Sequence, residues 1–281
     1  MRWQMGRRSQ NVEDRRGVGA GGAVAGGGIG VIIMAIIAAL LGLDPTPILR
    51  GGIQSERASA PRNISPEQEQ LADFVSVVLA DTEDTWNALF QEIGQDYREP
   101  TLVLFSGRVE SACGYASAAA GPFYCPRDEK VYIDLSFYED LKYRYNAPGD
   151  FAQAYVIAHE VGHHVQTQLG ISEQVQRVQR QVSQTEANQL SVMLELQADC
   201  LAGVWAYHSN EKRQTIEEGD VEEALNAASS IGDDRLQRQA QGYVVPDSFT
   251  HGTSRQRVRW FSRGLQSGDV AQCDTFDAQS L

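Results

Sequence analysis

Positive charge is scarce in this 281-residue chain: 24 Lys and Arg stand against 37 Asp and Glu, a formal net charge of −13. That balance excludes the clustered cations with which nucleic-acid binders neutralise phosphate. Cysteine is scarce too. Cys113, Cys125, Cys200 and Cys273 form no C-x-x-C pair, which removes zinc-ribbon and thioredoxin-type readings. There is no G-x-S-x-G elbow and no P-loop, so serine-hydrolase and nucleotide-hydrolase chemistry lack their signatures. No internal repeat is present, and only five histidines occur.

Among what is present, residues 23–43, AVAGGGIGVIIMAIIAALLGL, carry no charge and are long enough to span a hydrocarbon core. Arg2, Arg7, Arg8, Arg15 and Arg16 precede them, against Glu13 and Asp14. The positive-inside rule then predicts a cytoplasmic basic tail over residues 1–22, a transmembrane anchor over 23–43, and an extracytoplasmic remainder. A cleaved signal peptide is the alternative, but the nearest A-x-A pattern, Ala58-Ser59-Ala60, lies well beyond the apolar run. Residues 44–65, with Pro45, Pro47, Gly51, Gly52 and Pro61, read as a linker, leaving 66–281 as the main domain. In an oxidising compartment four cysteines suit two disulfides. Three connectivities are open. The expected one is Cys113–Cys125, around a turn, with Cys200–Cys273, tying the C-terminal tail to a helix. Four buried thiols are the plainer reading.

The main domain reads as α+β, mostly helical with a small sheet. Ser65-Pro66 marks a helix start, with Leu71, Phe74, Val75, Val78 and Leu79 at helical spacing. A second helix is expected over 84–93. Thr101–Phe105, Tyr124 and Val131–Leu135 read as strands. Helices dominate from Asp150 onward, where Asp150 and Gln153 suit a capping box.

The decisive stretch is His159-Glu160-Val161-Gly162-His163, an H-E-x-x-H motif in a helical pattern that ends at Gly170. Residues four apart share a helix face, so His159 and His163 can grip one Zn2+ ion, with Glu160 placed to act on a water beside it. A catalytic zinc needs a third protein ligand and an open position. Glu195 is the candidate, and Asp199, four residues on, can accept a hydrogen bond from a ligand histidine. The metzincin extension is absent: Gln166 and Leu169 stand where its glycine and third histidine would be.

With these residues the chain resembles the neutral zinc metallopeptidases, a bacterial family with an N-terminal membrane helix. The likeness includes Met1-Arg2-Trp3, Gly121-Pro122-Phe123-Tyr124-Cys125-Pro126, Val131-Tyr132-Ile133-Asp134-Leu135 and Thr250-His251-Gly252-Thr253-Ser254. A more distant likeness is to the gluzincins, including CAAX prenyl protease-like membrane peptidases, which share H-E-x-x-H and a later E-x-x-x-D. It implies a gluzincin-like domain, with Val131–Leu135 as the edge strand that receives an extended peptide. The late His–Arg pair of the membrane peptidases has a loose counterpart in His251 and Arg257, although Gly252 replaces the proline after the histidine.

These features predict a membrane-anchored zinc metalloendopeptidase acting on peptide or protein substrates. Zinc is held by His159, His163 and Glu195, Glu160 is the general base, and His251 is the oxyanion donor ahead of Tyr155 and Tyr243. A turn-forming role is the equally weighted alternative for His251. No role falls to His164, and His208 is expected to make a helix-end contact. Two rivals remain: an inactive or latent protease fold acting as a membrane-tethered binding or chaperone module, and a structural zinc protein. Four protein ligands usually close a structural site, and no cysteine lies at ligand spacing here. Oligomeric state is left open by the sequence.

Overall fold

The computed structural model describes residues 1–17, 64–278 and 281. The expected anchor at 23–43, and the linker up to residue 63, lie outside the described residues. Among those described, no helix is long and apolar enough to cross a membrane.

Helix α1 (Pro66–Glu92) begins in a capping box: Ser65 Oγ accepts from Gln68 N, and the Gln68 side chain accepts from Ser65 N. It is one continuous helix, where a break before Asp84 was expected. The polar residues just before Asp84 are satisfied within the helix. Asp81 accepts from Trp205 Nε1 at 2.7 Å, and Thr82 Oγ1 donates to the Leu79 carbonyl.

A four-stranded sheet follows, in the order β1 (Val12–Asp14), β2 (Thr101–Phe105), β6 (Lys130–Asp134), β5 (Phe123–Cys125). β1, β2 and β6 run parallel, and β5 is antiparallel to β6. Side chains alternate across the pleat. Leu102, Leu104, Val131 and Ile133 enter the main core. Val103, Phe105, Tyr132 and Cys125 pack the opposite face with Val109 of the hairpin β3 (Arg108–Ser111) and β4 (Gly114–Ser117). The expected peptide-receiving edge, Val131–Leu135, is therefore corrected: β6 is an inner strand, and the edges are β5 and β1.

The remainder is helical: α2 (Phe137–Tyr143), α3 (Asp150–Gln168), α4 (Ile171–Gln179), α5 (Gln184–Arg213), α6 (Asp220–Ser230), α7 (Asp233–Gln241) and α8 (Ser254–Ser267). The α+β expectation holds. α3 is buried on nearly every side, its polar residues included. Its N-cap is Gly149, not Asp150. The Asp150 carboxylate instead meets the Met1 amino group at 2.7 Å.

That contact is one of several that pack residues 1–16 against the domain. Met1 is buried, Trp3 packs edge-on against Phe74, and β1 pairs with β2. Each arginine of the segment is ion-paired: Arg2 with Glu217, Arg7 with Glu83 and Asp84, Arg8 with Asp73, Arg15 with Glu13, and Arg16 with Asp14 and Glu69.

Both expected disulfides form. Cys113–Cys125 fastens the β3–β4 turn to β5, and Cys200–Cys273 fastens the C-terminal segment to α5. Near that second bridge α8 crosses α5 at backbone contact. A Cβ on Gly264 would lie 1.9 Å from the Cys200 carbonyl oxygen. Gly264→Ala should therefore push the helices apart and cost about 1–3 kcal/mol or more, read as a fall in the urea midpoint. A variant as stable as wild type would refute this close crossing.

Candidate metal centre

The site arises where α3 and α5 touch. A Cβ on Gly162 would sit 3.0 Å from the Ala198 carbonyl oxygen, so the glycine lets the two helices approach. That approach brings the H-E-x-x-H face opposite Glu195. His159 Nε2 lies 3.1 Å from Glu195 Oε2, and His163 Nε2 lies 3.4 Å from Glu195 Oε1. The ligand-capable atoms of these three residues all fall within 4.8 Å of one another.

The far side of each ring fixes its tautomer. His159 Nδ1 is 2.9 Å from Asp199 Oδ1. Burial opposes charge on Asp199, but Arg257 and His159 outweigh it and hold the carboxyl at about 2. An ionised carboxylate can only accept, so Nδ1 carries the hydrogen and Nε2 faces Glu195. His163 Nδ1 is 2.9 Å from Gln166 Oε1. The Gln166 amide orientation is set by its own donation to the Leu194 carbonyl and to Gln197 Oε1. Its Oε1 must accept, and His163 is fixed as His159 is.

Asp199 is fully buried and central. Arg257 donates to both its oxygens, from Nε at 2.8 Å and Nη2 at 2.9 Å. Tyr155 donates to Oδ1 at 2.5 Å. Tyr155 thus supports Asp199 and is not free to meet an oxyanion. Tyr243 is exposed and does not line the cleft. His164 points away, with Nε2 on the Arg98 carbonyl and Nδ1 near Tyr124 Oη. His208 Nε2 donates to the carbonyl of Gly268, the C-cap of α8, a helix-end contact made to a neighbouring helix.

The cleft has a volume of about 410 Å³. Glu160 and His251 both line it, with Phe137, Tyr145, Val156 and the Ala118–Phe123 approach to β5. Among the described residues Glu160 has no side-chain hydrogen-bond partner. His251 is turned by Asp233, whose Oδ1 is 3.2 Å from Nδ1 and whose Oδ2 accepts from the backbone N–H groups of Thr250, His251 and Gly252. Asp233 also raises the His251 pKa, against the effect of burial. Gln166 and Asp233 carry no role in the sequence reading, and Arg257 enters it only as the loose counterpart of a family arginine. Only Gln166 left a local signal, being three residues from His163 on one helix.

The donor set fits zinc. Two imidazole nitrogens and one carboxylate oxygen leave a side open to the cleft, the pattern of a catalytic rather than a closed site. A second acidic group among the described residues, Asp150, Asp220 and Glu223, is already engaged: Asp150 and Asp220 hold the Met1 amino group, and Glu223 accepts from Phe151 N. Without metal, burial pushes the His159 pKa down, but Asp199 and Glu195 outweigh it and lift it to about 10. His163 is raised by Glu195, also against burial. A ligating Nε2 must shed its proton. Zinc affinity should therefore rise with pH below that value, by about tenfold per unit for each proton displaced, hence a slope of roughly one to two. Competition against a zinc indicator at several pH values reads that slope, and a flat profile would refute the protonated apo site.

A helix-borne H-E-x-x-H facing a glutamate from a second helix is the donor pattern found in zinc hydrolases. The chain belongs to the family described as "Putative neutral zinc metallopeptidase", which it matches over residues 1–276. It is 53% identical over 285 residues to the uncharacterized protein YpfJ of Escherichia coli K12, covering 98% of this chain and 99% of that protein. It is 39% identical over 263 residues to the uncharacterized protein Rv2575 of Mycobacterium tuberculosis H37Rv, covering 87% and 86%. No solved structure matches the chain.

Proposed function

We propose that the chain is a zinc-dependent endopeptidase of the gluzincin type, attached to a membrane through residues 23–43. The observation that carries the catalytic reading is the convergence of His159 Nε2 and His163 Nε2 on Glu195, in the same open cleft as Glu160, whose side chain has no hydrogen-bond partner among the described residues. Zinc bound there would polarise a carbonyl and lower the pKa of a water. Glu160 is positioned to take a proton from that water and return it to the departing amine. His251, oriented by Asp233, is the donor for the developing oxyanion. Asp199, clamped by Arg257 and Tyr155, keeps His159 in its ligating tautomer. An extended peptide would lie along the β5 edge, reached from Ala118 to Phe123. The membrane reading rests on the uncharged run at 23–43. The two disulfides favour an oxidising, extracytoplasmic setting for the domain.

The test is to incubate the full-length, zinc-loaded chain in detergent with a mixture of unfolded proteins and to identify new peptide amino termini by mass spectrometry. New termini that vanish on chelation and return with zinc are expected. Their absence, with one zinc bound per chain, would favour a binding module that retains its metal.

A further inference from the structure

We infer that residues 1–16 lie on the same side of the membrane as the catalytic domain, the reverse of what the arginines before an apolar run suggest. The inference rests on the membrane attachment proposed for residues 23–43, not on peptidase activity. Its strongest support is Glu83, a fully buried carboxylate on α1. Among the described residues all its hydrogen-bond partners come from the N-terminal segment. They are Arg7 Nη2 at 2.8 Å, Ser9 Oγ at 2.5 Å and Asn11 Nδ2 at 2.8 Å. A single crossing between residues 16 and 65 would carry those partners away and leave a buried charge unpaired, which a folded domain does not tolerate.

Two further observations agree. The positive-inside rule counts cations near the membrane, yet the arginines here are neutralised by acids of the domain and of the segment itself. The two flanks of the apolar stretch also meet. Arg16, itself buried, donates to the Gln68 carbonyl at 2.7 Å in the first turn of α1. The chain therefore leaves the domain and rejoins it at one place.

Sidedness can be read with an impermeant maleimide on the full-length chain in bacterial spheroplasts. Met5→Cys samples the segment at a position 99% exposed, and Ile93→Cys samples the domain at one 59% exposed. The parental chain gives the blank, and lysed cells give the total. Both sites should label together or be shielded together, and labelling of only one would overturn the inference. Carbonate extraction of the same membranes reads attachment separately, so a chain that washes off refutes the anchor while the shared location stands. Docking has its own measurement. Arg7→Ala, Ser9→Ala and Asn11→Ala combined should lower Tm by roughly 10 °C, and adding Glu83→Leu should recover part of that loss. An unchanged Tm would overturn the docked segment and the inference with it.

Discussion

Asp199→Ala is expected to cost about 3–5 kcal/mol of folding stability, the range for removing one partner of a buried ion pair. It should also weaken zinc binding roughly 10- to 100-fold, as loss of a group that orients a ligand does. The two effects share a cause. Arg257 is 2% exposed and spends its guanidinium on the Asp199 oxygens and on Tyr155 Oη. Without Asp199, that cation stays buried among groups that cannot balance it, and the Tyr155 hydroxyl and His159 Nδ1 lose their acceptor. Adding Arg257→Leu should recover much of the stability, because the stranded charge goes too. It should recover none of the zinc affinity, because His159 still lacks its anchor. Urea melts and zinc titrations on the single and double variants separate the two. A double variant no more stable than the single would show that the cost lies in packing rather than in the charge pair.

The candidate zinc-binding pairs were legible because helical periodicity puts each pair on one face. His159 and His163 are four apart, as are Glu195 and Asp199, so each pair shares a face whatever the tertiary fold. Asp199's acceptor role followed from the same spacing. Arg257 and Asp233 were not legible in their roles, because neither sits in a local pattern with the residue it serves. Arg257 reaches Asp199 only because α8 crosses α5 at Gly264, and Asp233 reaches His251 from the start of another helix, eighteen residues away. The ion pairs of the N-terminal arginines were hidden for a related reason. Beside an uncharged run they look like topology signals. Their partners lie as far off as 65 residues for Arg8 and 215 for Arg2, and only the folded chain brings those acids to them. Asp150 failed as a helix cap because a competing cation, the Met1 amino group, claims its carboxylate. The inner place of β6 was hidden because a buried strand beside an edge and one between two neighbours give the same short apolar run.

Glu160→Gln is expected to lower peptide hydrolysis roughly 10²- to 10⁴-fold, the span that general acid–base catalysis contributes, while zinc stays bound at one per chain. The substitution keeps the shape of a side chain that already has no hydrogen-bond partner among the described residues. Glu160 also lies outside the trio of ligand-capable atoms formed by His159, His163 and Glu195. Nothing that holds the metal or the two helices is therefore lost, and the variant should melt close to wild type. What goes is the capacity to accept a proton, since an amide cannot serve as the base. A comparison with His163→Ala sharpens the result. That variant should lose activity by losing zinc, so excess metal should restore part of its activity and none of that of Glu160→Gln. Zinc content by atomic absorption, alongside the yield of new peptide termini, distinguishes the cases. If Glu160→Gln cleaves as fast as wild type, the base is another group, and His251, poised by Asp233 in the same cleft, becomes the residue to replace next.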